Sequence, residues 1–395
     1  YQIRIGQGVT GLSHPIAWAV YIANFVFWVG IAHSGTLISA ILYLLRTRWR
    51  TTVYRSAEAM TAFAIMTAGF FPIIHLGRPW YFYWLMPYPN QRGLWPNFSS
   101  PLIWDVVAVS TYLMVSLLFL YLGLIPDLAT IRDRTEGLRR KAYKILSLGW
   151  RGSDEEWRHH ASTYLFFASL ATPLVVSVHS VVSWDFAMSI VPGWHSTIFA
   201  PYFVAGAIHS GLAMVLTLLI PLRRSFKLEE YLTIRHFENV AKVIIFTGLI
   251  VAYAYLTEFF IAWYSSSPFE YDTYKYRAMG HYAVEFWIMV IFNTLAPLSF
   301  FFKKVRTNIT ALLIISILIN VGMWFERYVI IVTSLAHEYI PFNWADYRPT
   351  WVEISITAGS FCWFCFLFLI FIKIMPSVSM TEVKEQMVPP LRGAE

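Results

Sequence analysis

Gly30-Ile-Ala-His33-Ser34-Gly35 lies inside one apolar stretch, and Gly206-Ala-Ile-His209-Ser210-Gly211 lies inside another. Each is followed by an apolar run and then by basic residues: Arg46, Arg48 and Arg50 after the first, Arg223 and Arg224 after the second. Each stretch predicts a helix crossing lipid. About 20 mostly apolar residues span the hydrocarbon, and a backbone there must satisfy its own hydrogen bonds. The likeness continues outward. The next stretch opens with Arg55-Ser-Ala-Glu58 in one copy and Arg235-His-Phe-Glu238 in the other; the one after carries Trp104-Asp105 or Glu285 near one end. The pattern predicts two copies of a four-helix bundle. Four crossings return the chain to its starting side, so the copies are parallel in the membrane rather than inverted. Chance similarity between helices of biased composition is the competing reading.

The composition agrees with a chain built for lipid. Of 395 residues, 57% are hydrophobic and 13% charged, against about 45–50% and about 25% in average soluble domains. This excludes a disordered chain and a disulfide-stapled small domain, and it argues against an ordinary soluble enzyme. Nine apolar stretches are long enough to span: 14–45, 54–76, 102–125, 161–183, 198–222, 240–264, 278–302, 308–332 and 351–375. They are continuous rather than alternating, which favours helices over barrel strands. The expected fold is an all-α integral membrane protein, with a first bundle at 14–183, a second at 198–332, a flanking helix at 351–375 and a tail at 376–395.

Lys and Arg set the expected orientation. Of the 30, 23 fall in the connections after the first, third, fifth and seventh spans and towards the C-terminal end, at Lys373, Lys384 and Arg392. Six fall on the other side (Arg4, Arg78, Arg92, Lys275, Arg277 and Arg348), and Arg327 lies within a span. The basic connections are therefore expected to face the cytoplasm. Residue 1 is Tyr rather than Met. A tenth helix is expected upstream in the native chain.

Ionisable residues inside spans are costly and each needs a reason. His75, Asp105, His179, Asp185, Glu258, His281, Glu285, Glu326 and Arg327 all fall in the half away from the basic connections. Quinol oxidation would use such a cluster. It removes two protons and two electrons from a lipid-soluble ring, which calls for a partner for each ring oxygen, a base near neutral pKa and aromatic walls. His75 would be the base. Asp105 would hold a hydroxyl and pass protons outward, with Asp185 and Arg78 shaping the pocket and Trp80, Tyr81, Phe82, Tyr83 and Trp84 walling it. Ion translocation is the rival use. Glu58, His33, His209, Glu238, Glu258, Glu285, Glu326 and Arg327 would then mark a proton path. Structural readings compete throughout. A carboxylate in a first helical turn suits the helix dipole, aromatic residues near span ends anchor at the interface, an Arg at a membrane edge snorkels, and Glu326-Arg327 can be a plain ion pair.

Cys362 and Cys365 are the only cysteines and lack the further ligands a cluster needs, so they read as small buried thiols. No CxxCH, HExxH, phosphate loop or dinucleotide glycine pattern is present. His33 and His209 as axial ligands of one haem is a competitor, but the expectation is no haem, metal or flavin in this chain. Nothing points to nucleic acid, because the basic 126–160 connection also carries six acidic residues.

Several segments resemble a known family. They are Gly30-Ile-Ala-His-Ser-Gly-Thr-Leu-Ile-Ser-Ala-Ile-Leu, Ser99-Ser-Pro-Leu-Ile-Trp-Asp105, Gly123-Leu-Ile-Pro-Asp-Leu-Ala-Thr-Ile-Arg-Asp-Arg134, Ser183-Trp-Asp-Phe-Ala-Met-Ser, Pro192-Gly-Trp-His-Ser-Thr-Ile-Phe and Met323-Trp-Phe-Glu-Arg-Tyr-Val-Ile-Ile-Val-Thr-Ser334. Together they resemble the NrfD/PsrC membrane subunits, and within them the ActC type of bacterial alternative complex III; the sister ActF type is built similarly. The resemblance implies two four-helix bundles with flanking helices, ten spans in all. It also implies a menaquinol or ubiquinol site on the periplasmic side, with His75 and Asp105 as the quinol-binding pair and Asp185 beside them, and no haem in the subunit. Implied partners are a periplasmic iron–sulfur subunit (ActB-like), a second NrfD-like subunit (ActF-like) and c-type cytochromes. The same scaffold run in reverse would reduce quinone, as in polysulfide or formate-type systems.

Overall fold

The computed structural model of the protein describes residues 1–47, 50–86 and 98–380. Arg48, Arg92, Lys384, Arg392 and most of the 376–395 tail lie outside the described residues. Among the described residues there are helices and no strand. Nine helices among the described residues are long and apolar enough to cross a membrane: α1 (Val20–Leu44), α2 (Tyr54–His75), α3 (Pro101–Arg132), α4 (Asp154–Ala187), α5 (Phe199–Ser225), α6 (Ile234–Tyr264), α7 (Ala283–Phe301), α8 (Ile309–Ala336) and α9 (Trp351–Ile374). The nine expected spans fall on these nine helices. The ends differ most at α3 and α4, which continue beyond the apolar stretch on the basic side and flank the polar helix Gly137–Leu146. Hydropathy falls where the chain leaves the hydrocarbon, but nothing there stops a helix. It ends where capping allows, as at Ser153, whose hydroxyl accepts from the Glu156 amide while the Glu156 carboxylate reaches back.

Depth within the molecule does not follow from hydropathy: in their most apolar stretches α1 is 83% and α5 78% buried, whereas the equally apolar α9 is 22% buried. Of the two expected helix groups, α1–α4 and α5–α8, the contact between them runs chiefly through α1 and α5, with α4 against α5 and α8 against α1, while α9 lies against α1 and α2. The two Gly-x-x-His-Ser-Gly segments form that junction. A Cβ on Gly211 would lie 2.8 Å from the Ile31 carbonyl and closer still to Ser34 Oγ, and one on Gly30 would lie 3.5 Å from Ala207 Cα. Lipid supplies no hydrophobic drive between helices, so small residues that admit close backbone contact make the interface. Because α9 is covered on one side only, Cys362 and Cys365 are exposed rather than buried.

Ion pairs close the basic face, buried in the first group and partly exposed in the second. The Arg55 guanidinium donates to the Gly123 carbonyl at 2.5 Å and to Asp127 at 3.1 Å, and it lies 3.6 Å from Glu58, which accepts from the Tyr164 hydroxyl at 2.9 Å. In the second group Glu238 pairs with Arg306 at 3.0 Å and Lys242 at 3.3 Å. Arg277, among the six cations expected opposite the basic connections, is not a surface charge. It is buried and donates to Thr333, Ser334 and the Gly193 carbonyl.

Candidate functional site

Three of the expected residues converge where α2, α3 and α4 end on the face opposite the basic connections. His75 is the last residue of α2. Asp105 sits one turn into α3, which begins at Pro101 because proline's fixed φ suits the first helical position and its missing amide donor is not needed there. Asp185 is two residues from the end of α4. All three line one cavity of about 290 Å³, close to the lower bound for small-molecule sites, about 300 Å³. Its walls are mostly apolar: Trp18 just ahead of α1, Ile22 and Phe25 of α1, Gly69 and Pro72 of α2, and Val106 and Val109 of α3. Pro72 cannot donate to the preceding turn, and a Cβ on Gly69 would meet nothing within 4 Å, so this stretch of α2 leaves the cavity open.

The polar atoms in this cavity lack protein partners. His75 Nδ1, Asp105 Oδ1 and Asp185 Oδ1 are each buried without a hydrogen bond. The Asp105 and Asp185 carboxyls line the same cavity. An apolar chamber with an imidazole and two carboxyls can grip a flat ring bearing two oxygens and exchange protons with it. Arg78 is exposed and does not line the cavity. Of the expected aromatic wall only Phe82 lines it, with Leu85 and Met86, while Trp80, Tyr83 and Trp84 are exposed. The tight helical turns at Pro79–Leu85 turn most of those rings outward.

The other candidates lie elsewhere. His33 packs against the His179 ring at 4.6 Å and the Tyr112 ring at 5.2 Å in the first group. His209 bonds Thr247 at 2.9 Å in the second, so the two imidazoles face different bundles. His179, expected near the mouth, instead belongs with His33 and has both ring nitrogens unpartnered. From there Phe203 leads to the Arg327 guanidinium, 4.4 Å above its ring. Arg327 lies 2.8 Å from Glu326, which accepts from the Tyr255 hydroxyl, itself bonded by Asn293. Glu258 lies beyond, beside a void of about 10 Å³ lined also by Tyr202, Tyr274 and Arg277. Glu285 opens α7 with one buried, unpartnered oxygen. Glu58 and Glu238 are held in the basic-face ion pairs.

Sequence reading missed what the start of α1 and the preceding Trp18 contribute to the cavity. Ile22 and Phe25 lie about a helical turn apart, and that spacing was the available signal. It also missed Glu353, which is buried and accepts from the Gly11 amide at 2.8 Å and the Tyr347 hydroxyl at 2.7 Å.

The chain is similar to known proteins. The family model described as polysulphide reductase, NrfD, matches residues 8–337. A putative dimethyl sulfoxide reductase membrane subunit of Halobacterium salinarum is 30% identical over 222 residues, covering 56% of this chain and 47% of that protein. A selenate reductase subunit of Mesobacillus selenatarsenatis is 22% identical over 225 residues, covering 55% of this chain and 51% of that protein. The chain spans about half the length of the curated relatives it matches. With a match over this much of its length, on a helical membrane scaffold, the chain belongs to the NrfD family.

Proposed function

We propose that this chain is the quinol-oxidising membrane subunit of an oxidoreductase complex, with its substrate site in the cavity lined by His75, Asp105 and Asp185. The single observation that carries the reading is the cavity itself, where three buried polar atoms without partners face an otherwise apolar chamber. The names of the relatives support it. A dimethyl sulfoxide reductase and a selenate reductase both consume electrons, so a membrane subunit that serves them is suited to oxidise a reduced lipid carrier.

In the proposed reaction His75 Nδ1 accepts one quinol hydroxyl proton and the Asp105–Asp185 pair accepts the other. Two electrons leave the ring, which becomes the quinone. The electrons are proposed to pass one at a time to iron–sulfur clusters of a partner protein, with c-type haems further on if the complex is of the alternative complex III type. His75 and the carboxyl pair then release their two protons towards the face opposite the basic connections, expected to be the periplasmic one. In the intact complex, His75→Ala and Asp105→Asn are each expected to lower quinol turnover at least a hundredfold with assembly unchanged. Wild-type turnover in both variants would end the proposal.

A second reading is favoured by the buried line from His33 and His179 through Arg327, Glu326 and Tyr255 to Glu258, which joins the two bundles without touching the cavity. We propose that, if it conducts, it moves protons alongside the redox reaction. Proteoliposomes that release only the protons of quinol, with none taken up from the lumen, would count against it.

A further inference from the structure

We propose that Gln2, Gln7 and Tyr21 are positioning residues that hold His75 at the edge of the cavity; this rests on the cavity being the quinol site. Helix α2 stops at His75, and the last carbonyls of a helix have no partner within it. Two glutamines from near the start of the sequence satisfy them. Gln2 Nε2 donates to the Ile74 carbonyl at 3.3 Å, and Gln7 Nε2 donates to the carbonyl of His75 itself. Gln2 is buried, and its carbonyl oxygen accepts from the Tyr21 hydroxyl at 2.7 Å. The Tyr21 ring stands edge-on to the imidazole of His75 at 6.2 Å. The backbone is shaped for this contact. Gly77 turns the chain away at φ +71°, and a Cβ there would lie 2.8 Å from Gln7 Cγ.

The same segment is fastened at its other end. The Val9 carbonyl accepts from the Thr350 hydroxyl at 3.0 Å, and the Gly11 amide donates to Glu353 at 2.8 Å. Residues 1–12 thus form a strap from the end of α2 to the start of α9. Neither glutamine lines the cavity, so both act through His75. A terminal helical residue without outside bonds frays, and a misplacement of about 1 Å in a reacting group can cost about a hundredfold in rate. The apolar walls that bind the ring do not depend on the strap. Loss of the clamp therefore falls on turnover more than on binding.

The test uses the intact complex in membranes, with decylubiquinol and menadiol as separate donors and ferricyanide as acceptor. Binding of 2-heptyl-4-hydroxyquinoline N-oxide, followed by quenching of its fluorescence, provides a readout independent of turnover. Gln7→Met keeps length and removes the donor; Gln7→Lys restores a donor. Gln7→Met is expected to lower kcat about tenfold with KM and inhibitor affinity within twofold of wild type, and Gln7→Lys to recover at least half of the loss. Tyr21→Phe, which keeps the ring and loses the bond to Gln2, is expected to lower kcat about threefold and serves if a Gln7 variant fails to assemble. Wild-type kcat in Gln7→Met, or a loss that Gln7→Lys does not relieve, overturns the clamp while an inactive His75→Ala leaves the cavity reading standing. Undiminished turnover in His75→Ala overturns the cavity reading and the clamp's role with it.

Discussion

Gly69 shows how much one missing side chain can matter in the middle of a helix. Glycine there costs about 0.5–1 kcal/mol relative to alanine, yet at this position on the cavity wall a Cβ would meet open space. Gly69→Leu is therefore expected to leave folding intact and to place its side chain where the ring would lie. It should weaken binding of the fluorescent quinoline N-oxide at least tenfold, measured by quenching in membranes; unchanged binding would mean that the ring lies elsewhere. His75 and Asp105 were legible in the sequence because each is an ionisable residue at the end of an apolar run, where the cost of burial demands a use. Phe25 and Gly69 were not. An apolar residue on an apolar helix carries no sign of which face it turns towards a cavity.

The crossing of α1 and α5 depends on packing rather than charge. A Cβ on Gly211 would press on Ser34 and the Ile31 carbonyl at the junction of the two bundles. Overpacking of this kind costs about 1–3 kcal/mol, so Gly211→Ala should lower the melting temperature in detergent, with Ser34→Ala recovering only part of the loss because the Ile31 carbonyl remains. Full stability in Gly211→Ala would argue against a close crossing. Outside the spans, the helix Pro268–Met279 and the α8–α9 connection are locked together by His337, stacked between Trp344 at 3.8 Å and Tyr276 at 4.6 Å and lying 3.4 Å from Asp272. Burial pushes the His337 imidazole below its ordinary value, with the Asp272 carboxylate partly opposing. The unfolded chain then binds this proton more readily than the folded one, so stability is full above about pH 6.5, the unperturbed value, and falls as the pH drops below it. Melting temperatures from pH 7.5 to 5 should show the decline, and His337→Phe, which keeps the stack, should reduce it. An equal decline in the variant would place the sensitivity elsewhere.

Across the whole molecule, the cavity at His75 has about 290 Å³, whereas the void that Glu258 lines with Tyr274 and Arg277 has about 10 Å³, room for about one water. One inhibitor molecule is accordingly expected to bind per copy of this chain, with His75→Ala removing it; a second equivalent that survives His75→Ala would show that the other bundle also binds. The sequence by itself determined which runs are long enough to cross lipid and the helical character of each, because a run of apolar residues in lipid has no alternative to a helix, and its repeated small residues fall where α1 and α5 meet. It also picked out most of the charged residues that had to lie inside. Only the tertiary structure decided their company. It put His179 beside His33 rather than at the cavity, turned Arg78 and most of the aromatic run outward, buried Arg277, and brought Gln7 onto a carbonyl 68 residues away. The physical reason is that hydropathy and periodicity are sums over neighbours along the chain. The direction of a side chain at a helix end is set by partners that reach it from distant segments.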